Sequence, residues 1–148
     1  MEESLEDLEA LRLFDVIEDD GFGRPLLLVM GCRLDTWVME MNRVLMLFVR
    51  LMHDVSRAPY SVVYFNSNVG WRNQPGFAFF ASNYGVLPAR YKKNVEHLSI
   101  VHPGMWVRSM FLLLRPILSA KFWSKLHYAD RLDELWLDDV IQKDVFRA

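Results

Sequence analysis

Few side chains in this 148-residue sequence have the type and spacing that chemistry needs. The single cysteine, Cys32, sits just past an apolar run that reads as a strand, a position where α/β proteins often place sites. A thiol nucleophile needs a base beside it. No histidine is locally placed to serve Cys32, and a free cysteine otherwise behaves as a small hydrophobe. The histidines are His53, His97, His102 and His127. None forms a His-x-x-x-His pair, and no paired cysteines complete a zinc set. His97 and His102 lie five residues apart around a predicted strand, which puts them on opposite faces and argues against a shared metal. The serines lack a G-x-S-x-G elbow. A Walker loop is absent, and Gly21-Phe22-Gly23 precedes the first apolar run, so it cannot cradle a phosphate at a helix start. The expectation is a chain that binds rather than catalyses, with no metal and no cofactor.

The elements that would position these groups alternate. Residues 4–14 carry Leu5, Leu8, Leu11 and Phe14 at helical spacing behind Ser4 as N-cap, which predicts a short acidic helix. Asp19 to Pro25 is turn chemistry. Leu26–Met30 is an apolar run of the kind buried on both faces of a parallel sheet. Asp35 or Thr36 is placed to cap a long amphipathic helix running from Trp37 to Val55. Tyr60–Phe65 reads as the second strand and Val95–Val101 as the third, with a helix over about 75–87 between them. Met105–Leu114 is helical, Pro116 kinks or restarts it, Lys125–Ala129 is a short fourth strand, and Leu132–Trp136 is a last short helix. Strand–helix alternation predicts an α/β fold, a mostly parallel sheet covered by helices.

Composition narrows the function classes. Apolar residues make up 52% and aromatics 14%, more than one small core needs, so either a cavity is lined with apolar groups or some apolar surface meets a partner. The net charge of −2 gives no global field toward nucleic acid or membrane. Charge is unevenly spread. Residues 1–20 hold nine carboxylates and one arginine, net −8, while residues 90–131 hold eight cations and two carboxylates, net +6. The two halves could attract each other or a partner, or form ordinary solvated faces. One cysteine permits no internal disulfide, which fits a reducing compartment. The acidic start is no signal peptide. The expected location is the cytoplasm, with room for peripheral membrane contact.

Three segments together resemble the divergent CRAL-TRIO family and its BCH branch, the scaffold domains found in Rho GTPase-activating proteins. Asp20-Gly21-Phe22-Gly23-Arg24-Pro25, followed by an apolar strand and Gly31-Cys32-Arg33-Leu34, is similar to the family's D-x-x-G-R start and the "CR" after its first strand. Arg90-Tyr91-Lys92-Lys93-Asn94-Val95, leading to His102-Pro103, is similar to the BCH pattern R-x-K-K-N-[LIV]…[IV]-V-H-P. Leu114-Arg115-Pro116 through Lys121-Phe122, then Lys125-Leu126-His127-Tyr128 and Leu132-Asp133-Glu134-Leu135, looks like the family's third block. The resemblance runs from about Asp20 to Leu135. It divides the chain into an acidic N-terminal helix, 1–19, and a CRAL-TRIO/BCH-like domain, 20–148. Only about 19 residues stand before the first strand, which implies a reduced N-terminal helical part and a more open or dimer-covered pocket, with no GTPase-activating domain.

The resemblance further implies an apolar pocket under a gate helix at Met105–Leu114, with Met105, Trp106, Met110, Phe111, Leu114 and Phe65 as its residues. General family members carry Y-P-E where this chain has Tyr91-Lys92-Lys93. That departure moves weight from inositol-lipid recognition to a basic segment. Arg90, Lys92, Lys93, His102 and Pro103 are then the residues for a protein partner: a second copy of the chain, a small Rho-family GTPase or its regulator. The leading expectation is a non-catalytic scaffold. The alternative is binding or transfer of a phospholipid or other hydrophobic ligand in the pocket.

Overall fold

β-branched and aromatic residues dominate Tyr60–Phe65 (β3), which lies between Leu26–Met30 (β2) and Val95–Val101 (β4) at the centre of a five-stranded sheet. The computed structural model of the chain describes residues 5–137; Ser4, expected to cap the first helix, lies outside them. Strand order is β1-β2-β3-β4-β5. Phe14–Ile17 (β1) runs antiparallel to Leu26–Met30 (β2), and β2, β3, β4 and Leu126–Ala129 (β5) are mutually parallel. The parallel steps are bridged by helices: Met41–Val55 (α2), the pair Phe77–Tyr84 (α3) and Ala89–Asn94 (α4), and the pair Met105–Leu114 (α5) and Ala120–Trp123 (α6). Glu6–Glu9 (α1) and Glu134–Leu137 (α7) complete the described elements. The α/β expectation of a mostly parallel, helix-covered sheet is met.

Bounds expected for β2, β3, β4 and α5 match the structure, because each is a mostly apolar run with proline or glycine within two residues of an end. Elsewhere tertiary contacts override the local signal. The expected helix over 4–14 stops after Glu9, and Phe14 instead opens β1, pairing with Val29. The segment 14–30 is therefore a β-hairpin. Its turn is closed by carboxylates: Asp19 Oδ1 accepts from the Gly21 and Gly23 amides at 2.8 and 2.9 Å, and the fully buried Asp20 binds Arg24 Nε at 2.8 Å. Gly21 and Gly23 take positive φ, 96° and 82°, in that turn.

The long helix begins at Met41, not at Thr36 or Trp37. Asp35 and Thr36 spend their side chains elsewhere. Asp35 accepts from the Trp37 amide in an Asx turn and from Arg72 Nη2 at 2.6 Å, while Thr36 Oγ1 donates to the Arg72 carbonyl at 2.8 Å. Trp37 and Val38, expected on the helix's apolar face, are instead exposed. The helix over 75–87 is shortened to α3, with a separate α4 starting after Pro88. The −8 and +6 halves find local partners. Asp7 pairs with Arg43 at 2.8 Å, and Arg108 and Arg131 with Asp130 and Asp133.

Period two splits the sheet into unlike faces. On one, Leu26, Val63, Val101, Ala129 and Leu135 pack into a dry core. This face also carries a polar seam at the starts of the strands: Ser61, Ser99, and the rings of His97 and His127, whose centroids lie 5.5 Å apart. His97 Nδ1 is buried without a hydrogen-bond partner. Burial, reinforced by the charge of Arg24, holds its pKa below the ordinary 6.5. The unfolded chain binds that proton at higher pH than the folded chain does. Stability contributed by neutral His97 is therefore intact above about 6.5 and lost as pH falls below it. The melting temperature is expected to fall between about pH 7 and about pH 5, and His97→Phe should flatten that fall. Equal slopes for the two proteins in a pH series of melts would contradict this account.

Candidate functional site

The other sheet face is hollow. Tyr60, Val62 and Tyr64 of β3 and Leu98 and Ile100 of β4 form the floor of a cavity of about 380 Å³. Val44, Leu45, Phe48 and Met52 of α2 make one wall, Phe79 and Phe80 of α3 another, and Trp106, Val107, Met110, Phe111 and Leu114 of α5 the roof. Helical spacing produces each of these stripes: positions three and four apart share a face. Aromatic rings prop the walls apart, with Phe80 against Trp106 at 6.5 Å, Tyr84 against Phe122 at 6.0 Å and Phe48 against Tyr91 at 6.2 Å. Burial holds the Tyr64 phenol protonated, its pKa pushed up to about 12. Among the described residues Lys92 is the only charged one in the lining.

Four of the six residues expected at the pocket are there: Trp106, Met110, Phe111 and Leu114. Two are not. Phe65 lies on the opposite sheet face and packs on the Val63–Val101 core, because it is odd-numbered in a strand whose even-numbered residues face the cavity. Met105 is 79% exposed at the first turn of α5 and points away from the roof. The helix is also wetter than its all-round apolar sequence implies, since Leu112 and Leu113 are about 60% exposed on its outer side.

The five residues expected to meet a protein partner do not form one patch. Arg90, Lys92 and Lys93 lie on α4, ahead of β4, whereas His102 and Pro103 follow it. Seven strand residues separate the groups, about 20 Å at 3.3 Å per residue. Within α4 the three cations also have different surroundings, and Lys92 stands off the face that Arg90 and Lys93 share at i,i+3. Arg90 turns back on the end of α2, donating from Nε to Ser56 Oγ at 2.9 Å and from Nη2 to the His53 carbonyl at 3.2 Å. Lys92 turns to the cavity, its Nζ 4.3 Å from the centre of the Tyr84 ring. Lys93 is exposed. His102, with φ 55°, closes the β4 end: its amide donates to the Ala129 carbonyl at 2.8 Å and its ring Nδ1 meets Ser67 Oγ.

Two features escaped sequence reasoning. Lys125, read as a strand residue and a family-motif position but given no site role, stands just before β5 and donates from Nζ to the carbonyls of Lys92 and Lys93 at 3.2 Å each, where helix carbonyls welcome a cation. Burial, then the nearby charge of Lys121, lowers its pKa. The walls from α2 and α3 were visible only as ordinary apolar stripes; the one hint was the near-absence of charge in Phe77–Tyr84. Cys32 is exposed in the turn after β2, and Asn73 ties that turn down by donating to the Cys32 and Leu34 carbonyls. Among the described residues no helix is long and apolar enough to cross a membrane, and no group of three or more His, Cys, Asp or Glu side chains is placed to hold a metal.

Comparison with known proteins agrees with this architecture. Residues 23–145 match the Divergent CRAL/TRIO domain family. Over 130 residues the chain is 34% identical to the Rho GTPase-activating protein gacY of Dictyostelium discoideum, covering 88% of this chain and 18% of that protein. It is 26% identical over 130 residues to Rho GTPase-activating protein 1 of Homo sapiens, covering 87% and 30%. Over 76 residues it is 37% identical to caytaxin of Mus musculus, covering 51% and 20%. The chain thus spans less than a third of the length of these relatives. With a parallel sheet, a roofed apolar cavity and a match over most of its length, the chain belongs to the divergent CRAL/TRIO domain family.

Proposed function

We propose that this domain binds a lipid chain in the cavity between the sheet and α5, and that it performs no catalytic step. The observation that carries this reading is the cavity itself, about 380 Å³ with, among the described residues, a single charged one in its lining. Its size is within the usual range for ligand pockets, and its lining is of the apolar kind that such pockets use. Left empty, a hollow of this kind is costly. Water gains little there, because it needs two to four polar partners. A flexible alkyl chain would restore the missing contacts.

A second reading, scaffolding of a protein partner, is favoured by the outer side of α5. Met105, Leu112 and Leu113 present apolar side chains to solvent there, 79%, 61% and 60% exposed. Two relatives are named as Rho GTPase-activating proteins, which makes a Rho-family GTPase, its regulator or a second copy of this chain the partner to try.

The two readings separate by mutation. Met110→Trp should fill the cavity, weaken binding of a fluorescent long-chain probe at least tenfold, and leave the far-ultraviolet circular dichroism unchanged. Undiminished probe binding by the folded variant would contradict the lipid reading. For scaffolding, Leu112→Asp with Lys93→Glu should abolish pull-down of a Rho-family GTPase, while Met110→Trp leaves it intact. Capture unchanged by the surface double variant would rule out that surface.

A further inference from the structure

We infer that the cavity takes a single-chain anionic amphiphile, one alkyl chain ending in a carboxylate or phosphate, with its headgroup at Lys92. The inference rests on the lipid reading above and adds the ligand's charge and chain number. Lys92 both lines the cavity and is partly exposed, so its ammonium stands where an apolar interior meets water. The Tyr84 ring holds that ammonium at 4.3 Å from its centre, and Phe122 braces the Tyr84 ring from the side.

Positive charge converges at the same end. Lys125 is bonded to the Lys92 and Lys93 carbonyls, and Lys121 lies close enough to lower the Lys125 pKa. Among the described residues no carboxylate forms an ion pair with Lys92, Lys93, Lys121 or Lys125. Glu96 is the one carboxylate felt at Lys125, and it forms no ion pair there, so ammonium groups beside an apolar hollow suit a ligand that brings an anion on a greasy tail. A hydrogen bond to a charged group is also about twice as strong as a neutral one, which would anchor one end of an otherwise featureless chain.

Volume sets the number of chains. A cavity of about 380 Å³ lies near the small end of the range for ligand pockets, which favours one alkyl chain over two. That favours a fatty acid or a lysophospholipid over a two-chain phospholipid.

Calorimetric titration with dodecanoate, dodecyl phosphate, uncharged dodecanol and a short-chain diacyl phosphatidylcholine tests this. Both anions should bind more tightly than dodecanol, and the diacyl lipid most weakly. Lys92→Met should weaken both anions about tenfold or more and leave dodecanol unchanged, while Lys92→Arg retains most of the anion affinity. Melts of both variants confirm folding. The tighter of the two anions tells a carboxylate source from a phosphate source. If dodecanol matches the anions, if Lys92→Met weakens none of them, or if the diacyl lipid binds best, the inference fails while the lipid reading stands. If none of the four binds, both fail.

Discussion

Register between β3 and β4 governs most of what this domain can do. Val62 lies beside Leu98 and Tyr64 beside Ile100, so these four side chains share one face; Val63 beside Ser99 and Phe65 beside Val101 share the other. A slip of one residue would exchange the faces and put the buried core of Val63 and Val101 under α5. The parallel pairing also requires crossovers, which place α2, α3 and α5 over the sheet. The fold then has two jobs for its two faces. One is packed and carries Leu26, Val63 and Val101 without exposure, and the other is held open by aromatic rings.

The segments that reveal the family turn out to be joints of this frame. Asp20 and Arg24 close the β-hairpin that delivers β2, with the Asp20 carboxylate fully buried and bonded to the Arg24 guanidinium. Gly31 ends β2 where no side chain fits: a Cβ there would lie 2.6 Å from Tyr64 Cζ and 3.0 Å from the Phe65 carbonyl. Arg90 and Asn94 lock α4 to the end of α2, Asn94 Nδ2 donating to the Ser56 carbonyl at 2.6 Å. Ser119 caps α6 through the Phe122 amide, which helps present Phe122 to the cavity. Of the R-x-K-K-N run, then, Arg90 and Asn94 build the frame, while Tyr91 and Lys92 reach the hollow.

Strands β2, β3 and β4 and helix α5 were legible in the sequence because each is a mostly apolar run with proline or glycine within two residues of an end. What was not legible depended on partners distant in sequence. Leucines at helical spacing hid the fact that Phe14 pairs with Val29. Asp35 has the look of an N-cap until Arg72, 37 residues away, claims its carboxylate. At the site, the roof could be read from the composition of Met105–Leu114, but not which turn faces inward; Met105 shows that a first-turn residue can point wholly to solvent. Phe65 was misplaced by one step of the strand period. Lys92 was recognised as a basic residue, and only the packing of Tyr84 beneath its ammonium distinguishes it from Lys93.

An apolar hollow beneath α5 is the feature on which the functional account stands, and native mass spectrometry of the purified protein followed by organic extraction tests it most directly. The account predicts a protein mass increased by one small amphiphile per chain, released into the organic phase as a single-chain lipid. Protein that is repeatedly recovered at its bare mass, and that gains none after incubation with dodecanoate, would contradict it.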